Sequence, residues 1–471
     1  MTIGGITMNR LKNSLFYQFL IRLDASLCGW WNNSFFGRWL TCQDPHRSVF
    51  TPARRLAPGV RELLSRVLGR IPLPSASLAM LFAAAVLILA PVFPTKVLFV
   101  LAGLCLGFGM LSLAADRASV LTPSPLNVHI ILYSLVVFWT AMTSVNIAGS
   151  LFRGVLFVAF MLFFYGVTST GLERHLNKIL CLMLAMGVVV SLIGFYQACR
   201  PDLYADTWSD ANMFPTITVR VYSTLGNPNV LGEYLLLMIP LACAMLLASD
   251  NWKKRIVCLC TVVILGVCLA LTYSRGCYLG LLFAAAVFLV LLDRRFLFLG
   301  IIAVLLSPLY LPESVITRFT SIGNLSDSST SYRLKIWLGT LDMLRDFWFS
   351  GIGPDYDAFI TIYPIYARHG TYAAHAHNLF LQILCDSGIV GLLVFLGMMV
   401  SFFRMMLTAI RHELDKRARI MQIGGISAVS GFLIQSLTDY TFFSFQVTLL
   451  FFGILGLCVL FTRMGRQEAR V

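Results

Sequence analysis

Two histidines stand at the end of a long polar segment, in His375-Ala-His377-Asn378, just before an apolar stretch. A neutral imidazole can accept a proton from a hydroxyl group, and its ordinary pKa of about 6.5 suits that reaction near neutral pH. A histidine at such a boundary is also a common interfacial residue with no chemical role. The motif therefore indicates a candidate site for proton transfer, with His377 as its first residue and His375 as its neighbour.

Two arginines precede the histidines at predicted turns between apolar segments. Arg220 lies ahead of Gly226-Asn-Pro-Asn229, and Arg275 lies in Tyr273-Ser-Arg-Gly276. Arginine presents planar, forked donors that match the oxygens of a diphosphate. The start of a helix after Asn227-Pro228 would add the positive end of a helix dipole. The pair favours an anion site, and extension of each arginine to lipid headgroups is the alternative.

Metal ligation is not predicted for these residues. The histidines are two positions apart, no third ligand is near them in sequence, and the chain contains no CxxC motif. The twelve cysteines are scattered and lie mainly in apolar segments. Cysteine in such surroundings packs like a small hydrophobic residue, so we expect neither a metal site nor a disulfide framework.

The composition fixes the class of protein. Of 471 residues, 58% are hydrophobic and 12% are charged, whereas a soluble domain carries about 25% charged residues. Apolar stretches of roughly 20 residues are long enough to cross a bilayer. The sequence predicts an all-α, polytopic membrane protein with about twelve transmembrane helices. Their predicted ranges are 76–93, 95–115, 127–147, 150–169, 177–197, 229–248, 255–272, 275–292, 296–310, 387–409, 420–437 and 444–462.

Basic residues predict the orientation of the chain. Residues 1–75 form a basic segment with ten arginines and lysines between Arg10 and Arg70. If this segment is cytoplasmic, the clusters at 253–255, 294–295, 416–419 and 463–470 are cytoplasmic as well, as the positive-inside rule requires. Both termini are then inside, and the formal charge of +14 reflects topology, so we expect no nucleic-acid partner. The stretch 16–40 suits a helix in the inner interface.

This orientation leaves two long segments outside, 198–228 and 311–386. The second is far longer than an ordinary loop and indicates a functional region. Within it, the stretch Tyr332–Phe349 places Trp337, Leu341, Leu344 and Trp348 on one helical stripe. That pattern predicts an amphipathic helix that lies on the membrane or covers a cavity. Gly351-Ile-Gly-Pro354 ends it.

These motifs carry a family resemblance. His377-Asn378, nine further residues and Gly388-x-x-Gly391 resemble the signature of the O-antigen ligase/O-antigen polymerase superfamily of membrane glycosyltransferases. The order of Arg220, Arg275, Arg333 and Gly351-Ile-Gly-Pro354 before it agrees. The resemblance is closest over 255–403 and extends to 76–471, a transmembrane glycosyltransferase domain with a GT-C-like fold and an extracytoplasmic loop, 311–386, that carries short amphipathic helices. The basic segment 1–75 lies outside the pattern.

The resemblance implies a reaction at the outer face of the bacterial cytoplasmic membrane. The donor would be a glycan on undecaprenyl diphosphate, the acceptor a hydroxyl of a glycan, lipid or protein, and the transfer inverting, without metal or cofactor. Carried over to this chain, His377 would be the catalytic base, and Arg220 and Arg275 would bind the diphosphate. Arg333 and His375 would be further substrate contacts. Asp439, in an outer turn, is a weaker candidate that could equally cap the turn.

A second class of function stays open at this stage. A non-catalytic transporter or flippase of polyprenyl-linked glycans could share the predicted spans and the outer arginines. Such proteins typically show repeat symmetry, broken helices or charges near the middle of the membrane. No convincing repeat is visible in this sequence, and its polar motifs concentrate outside the spans. The sequence favours the transferase and does not distinguish a ligase from a polymerase.

Overall fold

The computed structural model describes residues 15–34, 75–115, 122–204, 217–309, 311–323 and 328–464, and within these ranges every regular element is helical. We number the main helices in chain order: α1 (Leu15–Asn33), α2 (Ser75–Leu89), α3 (Thr95–Ala115), α4 (Leu126–Met142), α5 (Ile147–Ser169), α6 (Leu176–Ala198), α7 (Pro228–Ala248), α8 (Trp252–Leu271), α9 (Arg275–Asp293), α10 (Arg295–Leu305), α11 (Glu313–Thr320), α12 (Ser328–Phe347), α13 (Tyr356–Ile362), α14 (Leu379–His412), α15 (Lys416–Gln435) and α16 (Phe445–Phe461).

Each of the twelve predicted spans falls on one of these helices, but fewer qualify as spans by length and composition. Seven helical regions are long and apolar enough to cross a bilayer: α3, α5, α6, α7, α8, α9 and α14. Helices α2, α4, α10 and α16 are apolar but shorter. With 11 residues, α10 extends about 16 Å at 1.5 Å per residue. The protein is therefore a multi-pass membrane protein, and the count of about twelve is not established by these helices.

Cap residues explain why two site helices begin where they do. The side chain of Asn227 accepts a hydrogen bond from the backbone N–H of Asn229, and Pro228 occupies the first turn of α7. Asn378 caps α14 in the same way, accepting from the N–H of Leu381 at 3.0 Å. Both caps belong to motifs that stand out in the sequence, so the local chemistry of those motifs fixes the helix starts.

Helices α9 and α15 approach closely because glycines face each other. A side chain on Gly280 would collide with the carbonyl oxygen of Gly431, and a side chain on Gly431 would collide with that of Gly280. Small residues allow membrane helices to pack backbone against backbone. This contact brings the start of α9 beside the end of α15.

The described residues form two hydrophobic cores. The large core joins the membrane helices, including α7, α15 and α16. The small core lies in the long segment after α11 and contains Ile336, Met343, Leu344, Ile352, Phe359, Tyr363, Ala373, Ala376 and Cys385. The predicted helix at 332–349 is present as α12, but its stripe is divided. Leu344 joins the small core, whereas Leu341 and Trp348 are exposed.

Helix α14 is broken at Gly388, where φ is 62° and ψ is −172°, a conformation open essentially to glycine alone. The break frees backbone groups that pair with the Gly351-Ile-Gly segment. The N–H of Ile352 donates to the carbonyl of Cys385 at 2.7 Å, and the N–H of Ile389 donates to that of Trp348 at 2.8 Å. The two glycine motifs of the sequence thus meet and join the long segment 311–386 to α14.

The N-terminal helix lies at the other end of the molecule. Helix α1 packs against α14 and α4, and Ala25 and Cys28 help to line a cavity of about 830 Å³ with His412 and Arg463. The cavity lies at the C-terminal end of α14, remote from His377. The predicted interfacial stretch 16–40 is helical as far as Asn33, and residues 35–40, like most of the basic segment 1–75, are outside the described residues.

Candidate active site

His377 precedes the start of α14 and faces Asp439, which follows the end of α15. The Nδ1 atom of His377 lies 3.2 Å from Oδ1 of Asp439, and both side chains are mostly buried. A ring nitrogen held by a carboxylate carries the proton, which leaves Nε2 as an acceptor. The pair has the geometry of a base and the carboxylate that orients it.

Asp439 is also the centre of a larger polar network. Its Oδ2 accepts from the amide of Asn229 at 2.8 Å and lies 3.7 Å from the guanidinium of Arg333. Burial alone would raise the pKa of Asp439, but the hydrogen bond with His377 and the charge of Arg333 outweigh burial and hold that pKa below its usual range. Asp439 is therefore a carboxylate whose two oxygens both have partners.

Arg220 joins this network through Asn229. Its Nη2 donates to Oδ1 of Asn229 at 3.1 Å, and its Nε donates to the carbonyl of Thr272 at 3.0 Å. The amide of Asn229 therefore connects Arg220 to Asp439. Sequence reasoning treated Asn229 only as part of a helix start, and its bridging role depends on α15, which is far away in sequence.

Arg275 and Arg333 line a common cavity of about 180 Å³, which we call the arginine cavity. Arg275 begins α9 and donates to the Ser321 carbonyl at 3.3 Å. Trp337 and Thr438 complete the wall nearest to His377. The cavity combines two guanidinium groups with the N-terminus of a helix, which is a chemistry that suits an anion. Arg220 does not line this cavity; its guanidinium contacts Asn229, which in turn contacts Asp439.

The backbone at His377 is held from two sides. His377 has a φ of 47°, in the left-handed region that most residues avoid. Its carbonyl accepts from the indole of Trp337 at 3.2 Å, and its N–H donates to Nδ1 of His375 at 3.2 Å. Strained backbone of this kind persists only where the surroundings determine it, and it occurs often at functional sites.

His375 faces a second polar cluster rather than the arginine cavity. A small cavity of about 10 Å³ brings it together with Arg153, Asp386 and Tyr440. Burial, with a smaller contribution from the nearby His377, lowers the pKa of His375 to about 3, so this imidazole is neutral at physiological pH. Arg153 lies above the rings of Phe443 and Phe445.

Three side chains could together hold a cation. The ligand atoms of His375, His377 and Asp439 all lie within 4.8 Å of one another. The sequence showed only the two histidines, because Asp439 is 62 residues away. The guanidinium of Arg333 already places a positive charge beside Asp439. Each oxygen of that carboxylate is hydrogen-bonded or ion-paired. The arrangement thus fits an arginine-compensated carboxylate better than a metal ligand set.

A comparison with known protein families covers several residues of this site. The O-antigen ligase family model matches residues 260–396, a range that contains Arg275, Arg333, His375 and His377. No curated protein matches the chain. Arg220, Asn229 and Asp439 lie outside the matched range, and the fold brings them to it. The matched range is less than half of the 471-residue chain; over that range the chain is similar to the O-antigen ligase family, and the His377 motif and the apolar helices agree with this similarity.

Proposed function

We propose that this protein is a membrane glycosyltransferase that moves a glycan from an undecaprenyl-diphosphate-linked donor to an acceptor hydroxyl. The reaction takes place at the outer face of the bacterial cytoplasmic membrane, with about twelve spans in a GT-C-like arrangement and both termini cytoplasmic. The observation that carries the proposal is the contact of His377 with Asp439, 3.2 Å long, beside a cavity that Arg275 and Arg333 share.

In the proposed reaction, His377 is the general base. Its Nδ1–H points to Asp439, so Nε2 takes the proton from the acceptor hydroxyl while the oxygen forms a bond to the anomeric carbon. The bond from that carbon to the diphosphate breaks on the opposite face, which inverts the configuration. Asp439 stabilises the imidazolium that forms, as a buried carboxylate does in comparable pairs.

The arginines would act on the leaving group. Negative charge grows on the lipid diphosphate as its bond to the sugar breaks, and donors fixed in advance stabilise that charge most effectively. We assign Arg275 and Arg220 to the diphosphate, with Arg333 as a supporting contact and His375 as a weaker substrate contact. Arginine thereby fills the role that a divalent cation has in other phosphate enzymes. We accordingly propose that the transfer requires no metal or cofactor.

Replacement of His377 tests the assignment. His377→Asn should lower turnover by about 10²–10⁴-fold, the usual contribution of a general base. Asparagine is chosen because it tolerates the left-handed backbone at this position. His369→Asn is a matched control, since His369 is exposed and has a similar φ of 54°. The measurement is transfer in a reconstituted assay with an undecaprenyl-diphosphate glycan. Near-normal turnover of the His377 variant would contradict the proposal.

A chelator tests the metal claim separately. Excess EDTA should leave the wild-type rate unchanged, because arginines and helix N-termini supply the positive charge. Loss of activity with EDTA and its return with a divalent ion would assign the three ligand atoms of His375, His377 and Asp439 to a cation. Transport activity without transfer would favour the alternative class, a non-catalytic flippase of polyprenyl-linked glycans.

The glycans that accumulate in a strain without this protein would distinguish a ligase from a polymerase. Long chains that stay linked to the lipid carrier and are no longer transferred to their acceptor would indicate a ligase. Accumulation of single lipid-linked repeat units would indicate a polymerase. Both classes use the same base and the same diphosphate contacts, so neither outcome changes the assignments of His377 and the arginines.

A further inference from the structure

A buried carboxyl group lies one helical turn below the candidate site. Glu233 belongs to α7, inside a candidate span, and is 2% exposed. Its Oε2 atom has no hydrogen-bond partner among the described residues. A carboxyl group inside a membrane helix is costly, and an apolar residue of similar size would be more stable there. Glu233 therefore requires an explanation other than stability.

The side chain of Gln435, the last residue of α15, faces the carboxyl group of Glu233. Asn229 lies four residues before Glu233 on α7, and Asp439 lies four residues after Gln435. The two helices therefore share two polar contacts, one turn apart. The upper contact, Asn229 with Asp439 at 2.8 Å, belongs to the site, and the lower contact supports it.

The lower contact reaches the wall of the arginine cavity. The hydroxyl of Thr438 donates to the Gln435 backbone carbonyl at 3.0 Å and to its side-chain oxygen at 3.3 Å. Thr438 lines the cavity with Arg275 and Arg333. The same side-chain oxygen lies against Gly276, where any larger residue would collide with it. Gln435 is thus fixed between Glu233, the turn that carries Asp439, and the start of α9.

The orientation of the Gln435 amide depends on Glu233. A carboxyl oxygen attracts the NH₂ end of the amide, so the oxygen end turns towards Thr438 and Gly276. Without that acceptor the amide can rotate, and its NH₂ group would then face the Thr438 hydroxyl and the backbone of Gly276. The Gln435 amide would then no longer hold the turn at Thr438 and the start of α9, which carries Arg275, in place.

We propose, on the basis of the proposed function, that Glu233 is a positioning residue for the diphosphate subsite. Acting through Gln435, it holds Thr438 and the start of α9 in the arrangement that presents Arg275 and Arg333 to the lipid diphosphate. The role requires an oxygen that accepts a hydrogen bond and does not require a negative charge. Glu233 touches neither substrate nor His377.

Binding of undecaprenyl diphosphate to the purified full-length protein tests this inference without requiring transfer. Glu233→Ala and Gln435→Ala should each raise the Kd at least tenfold. Glu233→Gln retains an acceptor oxygen and should stay within threefold of wild type in Kd and turnover. Gln422→Ala is the matched control, because Gln422 is also a buried glutamine of α15 but hydrogen-bonds to Phe461 at the opposite end. Its Kd should not change.

A second variant covers the case in which Glu233→Ala does not fold. Thr438→Val removes the hydroxyl at the end of the route and should raise the Kd to a similar extent. Where Glu233→Ala folds, the double variant with Thr438→Val should have a Kd close to that of either single variant. The effects of two residues that act through the same contacts are not additive.

Two results would overturn the inference. One is a folded Glu233→Ala or Thr438→Val variant that binds as tightly as wild type. The other is a folded Glu233→Gln variant as impaired as Glu233→Ala, which would assign a charge or a proton to Glu233. A wild-type protein that neither binds undecaprenyl diphosphate nor transfers glycan would instead overturn the proposed function, so the two failures are distinguishable.

Discussion

At the scale of single residues, Asp439 connects the parts of the candidate site. It contacts His377, Asn229 and Arg333, which come from three separate regions of the chain. The sequence predicted His377 and the arginines as candidates because their types and motifs are unusual at the boundaries of apolar segments. It left Asp439 undecided between a turn cap and a site residue, because one aspartate in a turn carries no signal of its distant partners.

Arg275 should matter for binding and transfer more than an exposed arginine does. Arg275→Ala should lower transfer by about 10²–10³-fold, the usual effect of removing one fixed donor from a developing negative charge. Arg275→Lys should recover only part of it, since a point charge does not reproduce a planar fork. Arg345→Ala is the control, because the Arg345 side chain is 80% exposed on α12. Full activity of Arg275→Ala would reduce this arginine to a structural role.

Arg220 differs from Arg275 in what its removal leaves behind. Truncation to alanine would leave the Thr272 carbonyl and the Asn229 amide without their present donor. A buried acceptor that loses its donor costs about 1–3 kcal/mol. For this reason the Arg220→Ala phenotype should combine lower thermal stability with lost transfer, so expression must be measured beside activity.

His375 should make the protein sensitive to mild acid. Its pKa is about 3 in the folded protein and about 6.5 in an unfolded chain. Between these values the unfolded chain binds more protons, so the folded state loses stability as pH falls below about 6.5. The groups that face His375 include His377, Asp439, Arg153 and Arg333.

The measurement is the midpoint of thermal unfolding in detergent between pH 7.5 and pH 5. Wild type should lose stability across this range, and His375→Asn should show a flatter dependence on pH. Equal slopes for the two proteins would contradict the neutral state of His375.

At the scale of elements, the helices themselves were largely predictable. Apolar stretches of about 20 residues and the Asn227-Pro228 and Asn378 caps gave most of the boundaries. The exceptions have a physical cause. The predicted start at 387 for the span after His377 is eight residues later than the observed start of α14 at Leu379. The eight residues between the two positions are helical and mostly apolar, with Gln382 and Asp386 as their polar side chains, and the break at Gly388 separates them from the rest of α14.

Gly388→Ala should therefore disrupt the protein where a typical glycine replacement would not. Alanine is strained at a φ of 62° with a ψ of −172°, and its Cβ would collide with the Phe349 carbonyl. Strained backbone of this kind costs about 1–3 kcal/mol before the collision is counted. Gly103→Ala is the control, since a Cβ there meets open space. The measurement is the thermal midpoint, and an equal midpoint for both variants would contradict the interpretation.

At the scale of the whole molecule, orientation remains a prediction from the basic residues. Arg318 on α11 donates to the Tyr273 carbonyl at 3.1 Å, so α11 lies at the same end as the start of α9. The intervening chain, α10 included, must return along the length of α9. This path agrees with a crossing by α10, although α10 is too short to be recognised as a span.

Cysteine labelling of intact cells tests the orientation. In a background without the twelve native cysteines, Thr361→Cys should react with an impermeant reagent from outside, and Asp250→Cys should react only after permeabilisation. Both positions are exposed, so access to solvent is matched. Thr361 lies in α13, within the segment 311–386 that we predict to be outside, and Asp250 lies beside the basic cluster at 253–255. The opposite labelling pattern would place His377 in the cytoplasm.

The boundary between the two hydrophobic cores has a mechanical consequence. Ala376, adjacent to His377, packs in the small core, whereas the helices that carry Asn229 and Arg275 belong to the large core. Leu379, two residues after His377, packs in the large core, so the candidate base is held where the two cores meet. Arg333 lies on α12, which contributes to the small core, and Arg275 lies on α9, which contributes to the large core. A shift of one core against the other would therefore change the contact of His377 with Asp439 and the spacing of the two arginines together.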